Sequence, residues 1–300
     1  MQVPRHIESE ILISLYRYSM LTTEQISLLL NYETDTLYKA FQSLRAKGWM
    51  ESLSLDFIRR NARGWVLTKD GIEVAFGLTK EYHAGLLRQK GVLAGQVPHL
   101  YGVHRFFAAL IRESLSRPMR EGLIEWIGMR DAGERYALVD SKGKRSIPLR
   151  PDGLGTYRFA EGGELVFHVE YDTGSEHIWV LHHKLWQYTD VLAKFWTDMT
   201  LANVLFVTRD EHRSSRILEL WEDLRSDALR HQPIPTMWTA TEADLERHGV
   251  FAPVWSGIED GLVAWRDFPR LKGNQDGPVP LGKQIRERPF PNRVKGGTER

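Results

Sequence analysis

The chain has 300 residues, 42% hydrophobic and 26% charged, the composition of a globular protein with room for two domains and therefore two cores. No apolar run approaches the roughly 18 residues that would cross a bilayer, and Met1–Ser9 is polar, without the apolar segment of a signal peptide, so a cytoplasmic location is expected. The absence of cysteine excludes disulfides, thiolate nucleophiles and cysteine-bound zinc, and a formal net charge of +1 gives no global attraction to nucleic acid.

Local charge is less even. From Lys39 to Lys69 seven basic residues, Lys39, Arg45, Lys47, Arg59, Arg60, Arg63 and Lys69, stand against two acidic ones, Glu51 and Asp56. Upstream, Ile7, Ile11, Leu12 and Leu15 recur at helical spacing and predict a first helix from about Ile7 to Ser19. Thr22 with Gln25 is a capping-box signature, because each side chain can satisfy an orphan amide at the start of a new helix; Ile26, Leu29 and Leu30 then point inward. A third helix from about Glu33 to Ala46 would bury Leu37, Phe41 and Leu44 and expose Thr34, Tyr38, Lys39, Gln42 and Arg45. The period then changes: Trp49 to Ile58 reads as a strand, Arg59 to Gly64 as a tight basic turn, and Trp65 to Thr68 as the returning strand. The pattern Trp-x-Leu-Thr-x-x-Gly (Trp65, Leu67, Thr68, Gly71) returns the hairpin into a helix.

Three helices and a hairpin in this order resemble winged helix-turn-helix domains. The resemblance implies docking on double-stranded DNA, with Thr34, Tyr38, Lys39, Gln42 and Arg45 of the third helix at the major groove and Arg59, Arg60 and Arg63 of the wing on phosphates. A small helical packing module without DNA contact has the same order, but has no need of a third helix and a wing that are both basic.

Residues 81–98 read as a linker or connecting helix, and Val103, Phe106, Phe107, Leu110 and Ile111 predict an amphipathic helix from about Leu100 to Ser116 of the kind that covers a sheet. Strands follow at Leu123 to Met129 and at a segment ending near Tyr157, with a hairpin turn over Asp140 to Lys144 between them. Glu164 to Asp172 is the clearest strand, followed by a helix from about Glu176 to Trp196, a buried strand at Asn203 to Val207 and a helix from about Glu211 to Ala228. Strand, helix, strand, helix implies a mixed sheet with a right-handed crossover. The domains expected are therefore 1–80, 99–250 and a C-terminal extension, 251–300, whose Pro, Gly and charge content predicts disorder from about residue 273.

Arg150-Pro151-Asp152-Gly153, Glu170-Tyr171-Asp172 and Lys184 carry the chemistry. Strand alternation puts His168, Glu170 and Asp172 on one face, and with Asp152 from a neighbouring strand they can form an oxygen-rich pocket for Mg²⁺ or Mn²⁺. Lys184 lies about 70° from the centre of its helix's apolar stripe and can reach back toward Glu170. A structural ion-pair cluster fits the same residues. No histidine spacing among His104, His168, His182 and His183 matches zinc, no Gly-rich phosphate loop is present, and the ten tryptophans read as core rather than as a base-stacking platform.

Pro-Asp, a gap of 17 residues and Glu-x-Asp resemble the PD-(D/E)xK nuclease motif, with Asp172 standing where that motif has lysine. The wider arrangement resembles the replication-relaxation family of plasmid and mobile-element proteins. That resemblance implies an α+β protein: a winged helix followed by an α/β nuclease-like domain, acting in DNA replication or relaxation. Asp152, Glu170 and Asp172 would then be metal ligands and, with Lys184, catalytic, taking Mg²⁺ or Mn²⁺ if the site is active. Double-stranded DNA is the expected partner, with other plasmid replication or transfer proteins and a second copy of the chain as further candidates and no membrane. The competing reading is a non-enzymatic transcription regulator whose degenerate nuclease-like domain serves dimerisation or partner binding.

Overall fold

The computed structural model describes residues 3–58, 62–79, 94–227, 234–259, 261–273 and 278–283. Among them no helix is long and apolar enough to cross a membrane.

The chain opens with α1 (His6–Tyr18), β1 (Met20–Thr22), α2 (Thr23–Leu30) and α3 (Thr34–Ala46), then β2 (Met50–Ser54), β3 (Arg63–Leu67) and α4 (Lys69–Thr79). Thr22 caps α2 as expected: its hydroxyl accepts from the Gln25 amide at 3.2 Å, and Gln25 Oε1 accepts from the Thr22 amide at 2.8 Å. Asn31 ends that helix in the left-handed region, φ 53°, which asparagine tolerates better than most residues. Leu37, Phe41 and Leu44 of α3 are buried against Ile11, Leu12 and Leu15 of α1. The sheet has three strands in the order β1-β3-β2. β1 escaped the sequence reading because three residues are too short to alternate and Thr22 doubles as the cap of α2. Gly71 explains the last position of the Trp-x-Leu-Thr-x-x-Gly pattern, since a β-carbon there would lie 1.8 Å from the Trp49 carbonyl oxygen.

The second part begins with α5 (Val97–Ser114), β4 (Gly122–Gly128), α6 (Met129–Glu134) and the small hairpin β5 (Leu138–Val139) and β6 (Arg145–Ser146). Then come β7 (Gly153–Arg158), β8 (Glu164–Asp172), α7 (Ile178–Leu192), β9 (Asn203–Thr208) and α8 (Glu211–Asp227). β10 (Thr236–Thr241), α9 (Glu242–His248), β11 (Trp255–Ser256) and β12 (Leu262–Val263) complete it. α5 starts three residues before the expected Leu100, because Pro98 sits in the first turn, where no amide is needed. A mixed, seven-stranded sheet runs β12-β11-β10-β9-β8-β7-β4. β8, β9 and β10 are parallel, joined through α7 and α8, while β7 runs antiparallel to β8 and β4, at the edge, antiparallel to β7.

Two expectations need correction. The apolar clusters do not divide at the boundary between the expected domains. One cluster runs from α1, α2 and α3 through Phe106 and Phe107 of α5 to Phe167 and Val169 of β8, while the other lies under α7 and α8 on the opposite face. Tyr18 stacks on Trp126 at 4.1 Å and donates to its carbonyl at 2.8 Å, joining α1 to β4. The C-terminal extension is also partly built in. Trp255, Trp265 and Phe268 are buried in the first cluster, and residues 278–283 strap onto the body: the Leu281 amide donates to the Leu123 carbonyl at 2.8 Å and Arg158 donates to the Pro278 carbonyl at 2.9 Å. Lys283, 7% exposed, donates to the carbonyls of Arg117, Pro118 and Glu121. Proline and glycine made this segment read as disordered; its two prolines, Pro278 and Pro280, also remove two amides that would need partners, so an extended strap can pack at reduced polar cost.

Lys283→Ala should therefore cost about 2 kcal/mol, the worth of charge-assisted hydrogen bonds to otherwise orphaned carbonyls, read as a lower urea midpoint. Deleting the chain from residue 274 onward should lower the melting temperature by several degrees; an unchanged midpoint in both would return the strap to a passive tail.

Candidate functional site

β8 brings the chemistry-bearing side chains together. Its Phe167 and Val169 join the cluster on the α5 side, and Tyr171 packs on Gly102 of α5, while His168 and Glu170 meet partners on α7. A β-carbon on Gly102 would lie 2.1 Å from the Tyr171 ring, so only glycine lets that ring lie on the helix. β7 pairs with β8 in the register Gly153 to Val169, and Asp152, immediately before β7, stands across from Glu170. Asp152 Oδ2 accepts from the Tyr171 amide at 2.9 Å, and Oδ1 lies 2.9 Å from His99 Nε2 in the first turn of α5.

Glu170 is 1% exposed. Its Oε2 lies 2.7 Å from Lys184 Nζ, and its Oε1 accepts from the Tyr188 hydroxyl. Lys184 and Tyr188 are one helical turn apart on α7, so both reach the same carboxylate. Asp172 follows a different course. Its Oδ2 pairs with Arg213 Nε on α8 and its Oδ1 accepts from the Gly174 amide at 2.7 Å, while Arg213 also donates to the Glu176 carbonyl at 3.0 Å. Asp152, Glu170 and Lys184 thus come together, and Asp172 has a cation of its own. His99, Tyr188 and Arg213 are additions to the expected set, and nothing local pointed to His99 or Arg213.

The environment drives the two carboxyl groups apart. Burial, reinforced by the Asp152 charge, lifts Glu170 to about 8 despite Lys184 and Tyr188. For Asp152 burial works the same way, but the His99 hydrogen bond, the Lys184 charge and the Tyr171 amide outweigh it and hold the group below the ordinary carboxylate value. Burial works against the Lys184 charge, but Glu170 and Asp152 together raise its pKa and keep it an ammonium. Two buried acids with opposed shifts beside a fixed cation form the sort of constellation found at acid–base sites.

Glu170 Oε2 is buried and receives no aligned hydrogen bond, only the charge of Lys184. One hard divalent cation needs only one or two protein carboxylates when water or phosphate completes its shell, and Asp152 with Glu170 fits that need. Among the described residues no group of three or more His, Asp or Glu side chains is arranged as a metal cage, and Asp172 stays with Arg213. His104 and His168 are buried, and burial lowers them to about 3 and about 4; His168 is fixed between the Tyr136 hydroxyl and the Asn203 carbonyl.

Of the residues expected at DNA, Thr34, Tyr38, Lys39, Gln42 and Arg45 are all exposed on α3, and Arg63 is exposed at the start of β3. Arg59 and Arg60 lie outside the described residues. The tryptophans divide: Trp221, Trp255 and Trp265 are core, but Trp179 and Trp186 are exposed on α7 at 66% and 46%.

A family model described as replication-relaxation matches residues 12–204, well over half of the chain. The chain belongs to the replication-relaxation family. The match runs from within α1 into β9, so α3, Asp152, Glu170, Asp172 and Lys184 fall inside it, while Arg213 and the C-terminal strap fall outside. The family places this replication-relaxation protein in a replication-related role. No curated protein and no solved structure matches the chain.

With Lys184 in place Glu170 keeps its proton up to about pH 8, so removing that cation should matter above pH 8, where the carboxylate would be charged. Lys184→Met should cost up to about 3 kcal/mol there and much less below pH 8, where Glu170 is protonated with or without the lysine. Thermal melts on either side of pH 8 test this; an equal loss on both sides would mean that Glu170 is not the responsive group.

Proposed function

We propose that this replication-relaxation protein binds DNA through a winged helix formed by α1–α3 and the β2–β3 hairpin, and cleaves phosphodiester bonds at a PD-(D/E)xK-type site made of Asp152, Glu170 and Lys184. The observation that carries the reading is the convergence of two carboxylates on adjacent antiparallel strands with one lysine. It occurs on a frame of helix, three strands, helix and strand (α5, β4, β7, β8, α7, β9). In this reading Lys184, carried on a helix, does the work of the lysine that Asp172 replaces.

Mg²⁺ or Mn²⁺ held by Asp152 and Glu170 would polarise the phosphate and activate water. The chain's own residues prepare for that. His99 and the Tyr171 amide fix both oxygens of Asp152, Tyr188 fixes one oxygen of Glu170, and Lys184 keeps a positive charge where negative charge develops on phosphate. The exposed basic residues of α3 and of the hairpin supply the sequence-independent attraction to DNA. The biological setting proposed is a plasmid or other mobile element in the cytoplasm, with replication or transfer proteins and a second copy of the chain as candidate partners. One observation favours the non-enzymatic regulator: each of the three carboxylates already has a nitrogen partner within the chain, in His99, Lys184 or Arg213.

Supercoiled plasmid with Mn²⁺ should be nicked by the wild type and left intact by Asp152→Asn and by Lys184→Ala, scored on agarose gels. Intact plasmid with all three proteins would leave a DNA-binding protein without nuclease activity. Arg63→Ala should lower the salt slope of duplex binding by about 0.9, one phosphate contact; an unchanged slope would remove the hairpin from the interface.

A further inference from the structure

The exposed stripe of α3 does not look out into open solvent. The hairpin beside it is docked on α5, with Leu55 and Val66 packed against Val97 and Leu100, so Tyr38, Gln42 and Arg45 face α5 and α9 across a cleft of about 1570 Å³. Its size and chemistry limit what can lie in it. One turn of duplex is about 34 Å long and wider than its own roughly 12 Å major groove, well beyond the cleft's volume. A small metabolite would fill only part of it, since such sites run to about 1,000 Å³ at most.

The walls carry aromatic faces and guanidinium groups. Tyr38 is 52% and Phe57 51% exposed, and Phe57 meets Tyr101 edge-on with ring centres 5.8 Å apart. Arg45, Arg63 and Arg209 line the cleft and are exposed, whereas Arg105 and Arg112 are engaged by Glu242, Glu246 and Glu24. Cations without an acidic partner among the described residues, interleaved with open aromatic rings, suit a single backbone with unstacked bases, and the acidic residues of the far wall oppose the second backbone of a duplex. Tyr171 connects the cleft to Asp152. It forms part of the cleft floor, its ring meets His99 at 5.7 Å, and its amide holds Asp152.

We infer that this cleft takes a single strand of nucleic acid, its bases stacked on Tyr38, Phe57 and Tyr101 and its phosphates along Arg45, Arg63 and Arg209, passing over Tyr171. The inference rests on the proposal that the protein binds DNA, and it specifies the form of nucleic acid that the cleft holds.

The test is fluorescence anisotropy on the full chain without divalent cation, using a labelled oligothymidylate and a duplex of equal length. The oligothymidylate should bind, and Phe57→Ala and Tyr101→Ala should each weaken it about tenfold, the usual worth of one stacked base, with melting curves checking the fold. If Tyr101→Ala unfolds, an oligonucleotide carrying 5-iodouracil should still photocrosslink the wild type at the peptides holding Phe57 or Tyr101. Oligothymidylate binding that ignores Phe57→Ala, or crosslinks confined to other surfaces, would overturn the inference. Duplex binding that depends on Arg63, without binding of the single strand, would overturn the inference and leave the winged-helix proposal standing. Binding of neither form would overturn both.

Discussion

Burying Asp152 and Glu170 at facing positions of adjacent strands is unfavourable twice over, because each carboxylate loses water and each repels the other. Much of the second half of the molecule is organised around that strain. α7 lies over β8 so that Lys184 and Tyr188 can both grip Glu170, and α5 lies close enough to the opposite face for His99 to reach Asp152. Neither helix could withdraw without leaving a buried charge uncompensated, which costs far more than an exposed ion pair yields. The pair is thus weak as a source of stability and strong as a constraint on where the two helices sit.

α5 passes that constraint to the rest of the chain. It carries His99 at one end, Gly102 under the Tyr171 ring, and Phe106 and Phe107 in the core shared with α1–α3. On its flank it receives the hairpin through Val97 and Leu100. A shift of α5 would therefore move the carboxylates and the α3 stripe together. The continuous core makes the two halves one packing unit, and that is the physical basis for treating the cleft and the carboxylate cluster as neighbours on a common frame.

The parts legible in the sequence are those that depend on local periodicity. β8 alternates over nine residues and emerged with its boundaries intact, as did the capping box at Thr22. The reach of a long side chain from the border of a helical stripe was also enough to bring Lys184 to Glu170. What could not be read is set by distant chain. His99 is separated from Asp152 by the rest of α5, β4, α6 and the β5–β6 hairpin, and its position on α5 gives no sign of its partner. Arg213 sits on a helix whose apolar face says nothing about Asp172. β11 and β12 have two residues each, too few for any period, and they exist because Trp255, Trp265 and Phe268 are drawn into the core beside them. The strap failed for a further reason: composition measures what a segment could bury on its own, and Lys283 is held by carbonyls that belong to the turn after α5.

The exchange of lysine for Asp172 has consequences beyond one position. A lysine two residues after Glu170 would share its face of β8 and supply the cation from the same strand. Aspartate there reverses the sign, so the face carries one more negative charge and one fewer positive charge. Two cations from other elements meet the difference, Lys184 from α7 for Glu170 and Arg213 from α8 for Asp172. The Arg213 pair also ties the segment after β8 to α8 through the Glu176 carbonyl, fixing the chain at the entrance to α7 and with it the helix that bears Lys184. The residue that departs from the motif therefore acts on the same site at one remove, by anchoring the element that carries the replacement. A lysine restored at position 172 would face Arg213 as a like charge and loosen that anchor, so the two arrangements are alternatives that this chain cannot combine.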